Sequence, residues 1–152
     1  LSAACQEIIS GYTVPMIKFL LMVFAVYCVM GAYLYLIQRN MMYFPTPEHN
    51  HQQAEALWLE TNQQRLKIWS INQAAPALLY FGGNAESVDY NIADFKNLFS
   101  DYSVYLVNYR GYGGSSGTPT ESGLSKDALA VYDAISPQHT SVSLIETSSM
   151  SK

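Results

Sequence analysis

Two apolar runs that stop abruptly at glycines constrain this chain most. They are Leu78-Leu-Tyr-Phe-Gly-Gly-Asn-Ala85 and Tyr105-Leu-Val-Asn-Tyr-Arg-Gly-Tyr-Gly-Gly-Ser-Ser-Gly117. Between them Val88, Ile92, Phe95 and Phe99 recur at helical spacing and make one apolar face. Strand, helix and strand in that order form a βαβ unit. Glycine at the end of a buried strand lets bare backbone N–H groups approach a ligand, so the two junctions are where chemistry is expected.

The pattern extends in both directions. Ala56 to Glu60 and Leu66 to Ile71 alternate apolar and polar residues, as a hairpin turning at Asn62 to Arg65 would. Ala77 to Phe81 is continuously apolar, as a strand covered on both faces must be. Ser103 to Asn108 is the next strand. Thr118-Pro-Thr-Glu121 reads as a capping box, opening a helix with Leu124, Ala128, Val131 and Ile135 on one face. Pro137 ends that helix and Ser141 to Ile145 begins another strand. Two strand, helix, strand units in series predict an α/β fold with a doubly wound, mostly parallel sheet.

Order and spacing of these pieces resemble the α/β-hydrolase superfamily, in particular its single-anchor membrane branch that includes the Bem46-like proteins. Gln38-Arg39 through Tyr43-Phe44-Pro45 is similar to that branch's post-anchor signature, Phe81-Gly-Gly-Asn-Ala85 to its oxyanion loop, and Asn108-Tyr-Arg-Gly-Tyr-Gly-Gly-Ser115 to its loop after the fourth strand. Many relatives carry His-Gly-Asn where this chain has Gly82-Gly83-Asn84, a departure that removes a side chain and keeps the backbone donors. The resemblance implies a serine ester, amide or thioester hydrolase acting on a small-molecule acyl substrate, without cofactor or metal. Within the loop, Asn84 and Ala85 are the expected oxyanion donors, and Gly82 and Gly83 the residues that permit the turn.

Gly113-Gly-Ser-Ser-Gly117 fits GxSxG formally, yet Ser115 lies well past the strand end with no helix following at once, so it reads as a loop residue. The family's elbow position is the strand Ser141 to Ile145, which puts Ser148 in the nucleophile's register. Glu146 and Met150 replace the small residues that a strained elbow needs. The expectation is the N-terminal half of a hydrolase, interrupted at the elbow and inactive as a single chain. Two other classes compete. Gly111 to Gly117 lies between strand and helix and nearly matches the dinucleotide fingerprint, but the stretch before Glu146 is apolar or hydroxylic and Glu146 comes too far on to be the fingerprint's acidic residue. A non-catalytic membrane protein keeping half the fold is the other.

From Phe19 to Ile37 no residue is charged, and Lys18 and Arg39 bound a stretch long enough to cross a hydrocarbon core of roughly 30 Å. Bulky residues continue to its end, unlike a cleaved signal. The expected division is therefore 1–15 as an unstructured extension, 16–40 as a single-pass transmembrane anchor, 41–55 as a linker and 56–152 as the hydrolase half. If Met16 is the true start, its α-amine and Lys18, against Arg39 alone, favour a cytosolic N-terminus and an extracytoplasmic domain. His49 and His51 in the linker have no third ligand nearby and read as solvated residues. With 8 Lys+Arg against 12 Asp+Glu the chain has no basic stripe for nucleic acid. Its 2 cysteines, Cys5 and Cys28, make no disulfide framework.

Overall fold

The computed structural model describes residues 3–61 and 64–147, in two compact units, 1–42 and 43–152. The hairpin turn at Asn62 and Gln63 and the nucleophile register at Ser148 lie outside the described residues.

The first unit is one helix, α1 (Ala3–Met42), of 40 residues. The expectation that residues 1–15 lack structure is corrected from Ala3 onward. Ala3, Ala4, Gln6 and Glu7 favour helix, and Pro15 removes one backbone bond without ending the helix. Within it, Thr13–Met42 is long and apolar enough to cross a membrane.

The second unit is a five-stranded mixed sheet. Its strands are β1 (Glu55–Thr61), β2 (Gln64–Ile71), β3 (Pro76–Phe81), β4 (Ser103–Val107) and β5 (Ser141–Glu146), in the spatial order β1-β2-β4-β3-β5. β1 pairs antiparallel with β2, and β2 with β4, while β3 runs parallel to both β4 and β5. The connection from β3 to β4 carries a 3-10 turn (Val88–Asn91) and α2 (Ile92–Leu98), and that from β4 to β5 carries α3 (Glu121–Ile135).

Because the second crossover returns past β3 to its other side, right-handed connections place α2 and α3 on opposite faces. The core divides accordingly. Leu78, Tyr80, Val104 and Leu106 pack with Val88 and Ile92 on one face, while Ala77, Leu79, Phe81 and Val107 pack with Val131 and Ile135 on the other. This alternation explains why β3 and β4 read as unbroken apolar runs: both faces of each are covered. β5 is an edge strand, with Leu144 57% exposed.

α3 is capped differently from the expected box. Thr120, not Thr118, is the N-cap, its hydroxyl accepting from the Gly123 N–H at 3.1 Å. Its buried residues are Gly123, Asp127, Val131 and Ile135, with Ala128 packed against the same core, so the expected face holds at Ala128, Val131 and Ile135.

Candidate active site

The strand order reverses at β3, with β4 on one side and β5 on the other. In open α/β sheets such a switch point opens a crevice at the carboxyl ends of the strands. Both glycine junctions lie on this edge, as does Glu146 at the end of β5, which is paired with Phe81.

The Gly82–Ala85 turn is built tightly. The Glu86 N–H closes it on the Gly83 carbonyl at 3.1 Å, and the Gly83 N–H donates to Glu86 Oε2 at 2.6 Å. The left-handed backbone expected of the glycines falls instead on Ala85, at φ 64. Gly82 is needed for space, since a Cβ there would stand 2.6 Å from Val88 Cγ1. At Gly83 the nearest atom to a Cβ would be Glu86 Oε2 at 3.4 Å. Asn84 Oδ1 accepts from the Tyr112 hydroxyl at 3.0 Å and the Phe44 N–H at 3.3 Å. Among the described residues no acceptor takes the Ala85 N–H.

Residues 43–51 are no solvated linker. Phe44 reaches Asn84 and Tyr112, and the Thr46 carbonyl accepts from the Gly113 N–H at 3.0 Å. Glu48 pairs at 2.7 Å with Lys67, whose side chain is 2% exposed. His49 Nδ1 and His51 Nε2 both lie 3.1 Å from Asp89 Oδ2. Ser87 donates to Asp89 as well, and His49 Nδ1 is 3.5 Å from its hydroxyl. One imidazole nitrogen thus faces both serine and carboxylate, an arrangement that cannot relay a proton from one to the other. No group of His, Cys, Asp or Glu among the described residues could hold a metal.

The second junction holds itself closed. Ser115, 7% exposed, accepts from the Lys67 N–H at 2.8 Å and donates to the Asn108 carbonyl at 3.0 Å, a structural bridge between β2 and the loop. The dinucleotide reading fails here for a physical reason. A Cβ on Gly113, Gly114 or Gly117 would run into Asn108, Glu48 or Gln64 respectively, so the space near these glycines is already taken. The Glu48 carboxylate would also repel a phosphate. Arg110 fastens the loop to α3 by a bidentate pair with Asp127, both bonds 2.6 Å long.

Tyr109 stacks on Phe81 with ring centroids 6.0 Å apart. Burial, then the nearby carboxylates of Glu146 and Glu86, push its phenol up to about 12. Phe81, Tyr109, Leu124 and Leu144 line a mainly apolar cleft of about 250 Å3 that Glu146 borders. His139 stands at the opposite end of the sheet, its Nε2 2.9 Å from the Tyr105 hydroxyl and its Nδ1 3.1 Å from the Ala75 carbonyl. It is remote from any serine on the carboxyl edge. Sequence reasoning missed Glu86, and although Phe44 and Tyr112 stand within the quoted motifs, their bonds to Asn84 come from contacts distant in the chain.

A sheet of this order with its crevice at the end of β3 is an α/β-hydrolase fold. The Cif epoxide hydrolase from Acinetobacter nosocomialis superposes with a TM-score of 0.55 at 11% identity, covering 66% of this chain and 32% of that one. No family model matches the sequence. The chain is a homologue of the α/β-hydrolase domain proteins ABHD12, WAV2 and Bem46. Lysophosphatidylserine lipase ABHD12 of Bos taurus is 36% identical over 85 residues, 52% of this chain and 21% of the relative. Alpha/beta hydrolase domain-containing protein WAV2 of Arabidopsis thaliana is 28% identical over 123 residues, 69% and 40%. Protein bem46 of Schizosaccharomyces pombe is 29% identical over 115 residues, 63% and 38%. The chain thus spans two fifths or less of the length of these curated relatives.

Proposed function

We propose that this chain supplies the membrane anchor and the oxyanion side of a serine hydrolase acting on carboxylic esters of amphiphilic lipids. The observation that carries the reading is the Gly82–Ala85 turn at the switch point, with Gly83 N–H held by Glu86 and the Ala85 N–H left for a developing oxyanion. Asn84 and Ala85 are the donors, and Gly82 and Gly83 let the acyl oxygen approach. The nucleophile belongs at the register of Ser148, one residue beyond Thr147, whose N–H bonds the Phe81 carbonyl at 3.2 Å and so brings the chain to the same edge as the turn. The apolar cleft beside Tyr109 suits an acyl chain. The lipid class is supported by the lysophosphatidylserine lipase among the relatives. The unbroken apolar run of α1 supports single-pass anchoring, with Lys18 favouring an extracytoplasmic domain.

The test uses the full-length protein that carries this chain, in membranes and then in detergent. Alkaline carbonate should leave it in the pellet, and release into the supernatant would exclude the anchor. Gly83→Val should lower ester turnover about a hundredfold, as for a lost oxyanion contact. The Cβ alone would meet nothing closer than 3.4 Å, and a parent-like urea midpoint checks that the variant has kept its fold. Activity within about threefold of the parent would overturn the assignment.

A further inference from the structure

Glu86 gathers donors from every side of the candidate site. Its Oε1 accepts from the Tyr80 hydroxyl and the Asn91 amide, each at 2.5 Å. Its Oε2 accepts from the Gly83 N–H at 2.6 Å and the Thr147 hydroxyl at 3.1 Å. These donors come from β3, the 3-10 turn, the glycine turn itself and the residue after β5. Burial alone would raise the Glu86 carboxyl, but the bonds from Tyr80, Gly83, Asn91 and Thr147 outweigh it and hold it below the ordinary value.

A carboxylate has about four lone-pair positions. Glu86 spends them on these donors, which leaves no capacity to take a proton from substrate or water. A base is therefore the wrong role. What the geometry does explain is the turn. Ala85 has a left-handed backbone at φ 64, a conformation that a non-glycine residue keeps only where its surroundings over-determine it. The bond from Gly83 to the Glu86 side chain and that from Glu86 to the Gly83 carbonyl close a ring around Asn84 and Ala85 from both directions. The Thr147 bond then ties that ring to the end of β5.

We infer that Glu86 is the positioning residue of the turn, aiming the Asn84 and Ala85 N–H groups and fixing their distance from the residue that follows β5. The inference rests on the oxyanion reading of that turn. Charge-assisted bonds are about twice as strong as neutral ones, so a neutral isostere should loosen the turn without emptying its space.

Glu86→Gln provides the test, with two independent readouts. In the full-length protein in detergent, kcat on a short p-nitrophenyl ester should fall roughly 10- to 100-fold while KM stays within about threefold, the pattern of an interaction made in the transition state. In the 152-residue chain in micelles, labelled with 15N, the Gly83 amide proton should move upfield and lose protection from exchange. Amides of Leu79 and Leu106, in the core, should not change. An unchanged Gly83 amide overturns the proposal whatever the activity of the parent. A parent without esterase activity but with the expected Gly83 shift overturns the oxyanion reading and keeps the anchoring of the turn. Should Glu86→Gln fail to fold, Thr147→Val removes a single donor and should lower kcat about fivefold, the equivalent of one ordinary hydrogen bond. No change in kcat in that variant would also overturn the proposal.

Discussion

Adding one methyl group to each of the adjacent glycines should give opposite results. Neither Gly82 nor Gly83 has a left-handed backbone, so alanine is conformationally allowed at both, and the smaller freedom of the unfolded chain favours it by about 0.4–1 kcal/mol. At Gly83 the new Cβ would lie 3.4 Å from Glu86 Oε2 and 3.5 Å from the Thr147 carbonyl oxygen, near ordinary contact, so the substitution should be neutral or slightly stabilising. At Gly82 it would lie 2.6 Å from Val88 Cγ1, well inside the roughly 3.5–4.0 Å optimum for carbon pairs. Val88 is 2% exposed and is packed in the α2-side core, so it has little room to give. Overpacking of this kind costs about 1–3 kcal/mol. The gap between the two variants should therefore be about 2 kcal/mol, or roughly 10 °C in the unfolding midpoint at about 4–8 °C per kcal/mol. Urea unfolding in detergent, followed by the fluorescence of Trp58 and Trp69 in the β1–β2 hairpin, reports on the second unit alone. A Gly82→Ala variant as stable as Gly83→Ala would refute the packing argument.

The Arg110–Asp127 pair supplies a second test. Their side chains are 13% and 4% exposed, so Asp127→Ala should cost about 3 kcal/mol by leaving a guanidinium unpaired. The double variant with Arg110→Met should recover much of that loss in the same urea assay, and a strictly additive double variant would sink the explanation. Stability should also fall at both ends of the pH scale. Glu86, held below its usual value, contributes in full above that value, and its contribution is lost as pH falls through the depressed one. Tyr109, raised from 10.0 to about 12, contributes in full below 10.0, and its contribution is lost as pH climbs through about 12. The acid slope of the unfolding midpoint should accordingly be shallower in Glu86→Gln and the alkaline slope shallower in Tyr109→Phe, where the raised Tyr80, Tyr105 and Tyr112 keep part of it, and a parent-like slope in either variant would contradict its assignment.

The strands and both glycine junctions were legible because their signals are local. β3 and β4 carry unbroken apolar runs, and the run ends where glycine begins. α3 was legible in extent and, at Ala128, Val131 and Ile135, in facing. The sequence pattern does not single out Asp127, although it stands one turn before Val131 and one turn after Gly123 on the face that packs. Arg110 on the preceding loop was the available signal that this carboxylate had a buried partner. The turn at Gly82–Ala85 was legible as a turn and not in its mechanics, because glycine reads as a residue for positive φ whereas here it makes room and Ala85 takes the strained backbone. The residues after α1 were the largest misreading. Glu48, His49 and His51 are polar, so composition sent them to solvent, yet their partners Lys67 and Asp89 are buried groups from separate stretches of sequence.

Those pairings also explain why the segment cannot be a passive tether. Lys67 is enclosed between Trp69, at 4.4 Å from the ring centroid, and Glu48, and a buried ammonium without its carboxylate would cost several kcal/mol. Asp89, 4% exposed at its side chain, depends in the same way on donors from Ser87, His49 and His51. Loosening residues 43–51 would therefore strand two buried charges at once. The same segment carries the Phe44 N–H that holds Asn84 Oδ1. The energetic penalty for displacing the segment is thus coupled to the geometry of the turn, so disturbance at Glu48 or His51 should reach the site through Phe44 and Asn84 without touching substrate. This gives the polar residues that follow α1 a physical reason to be specific residues rather than filler.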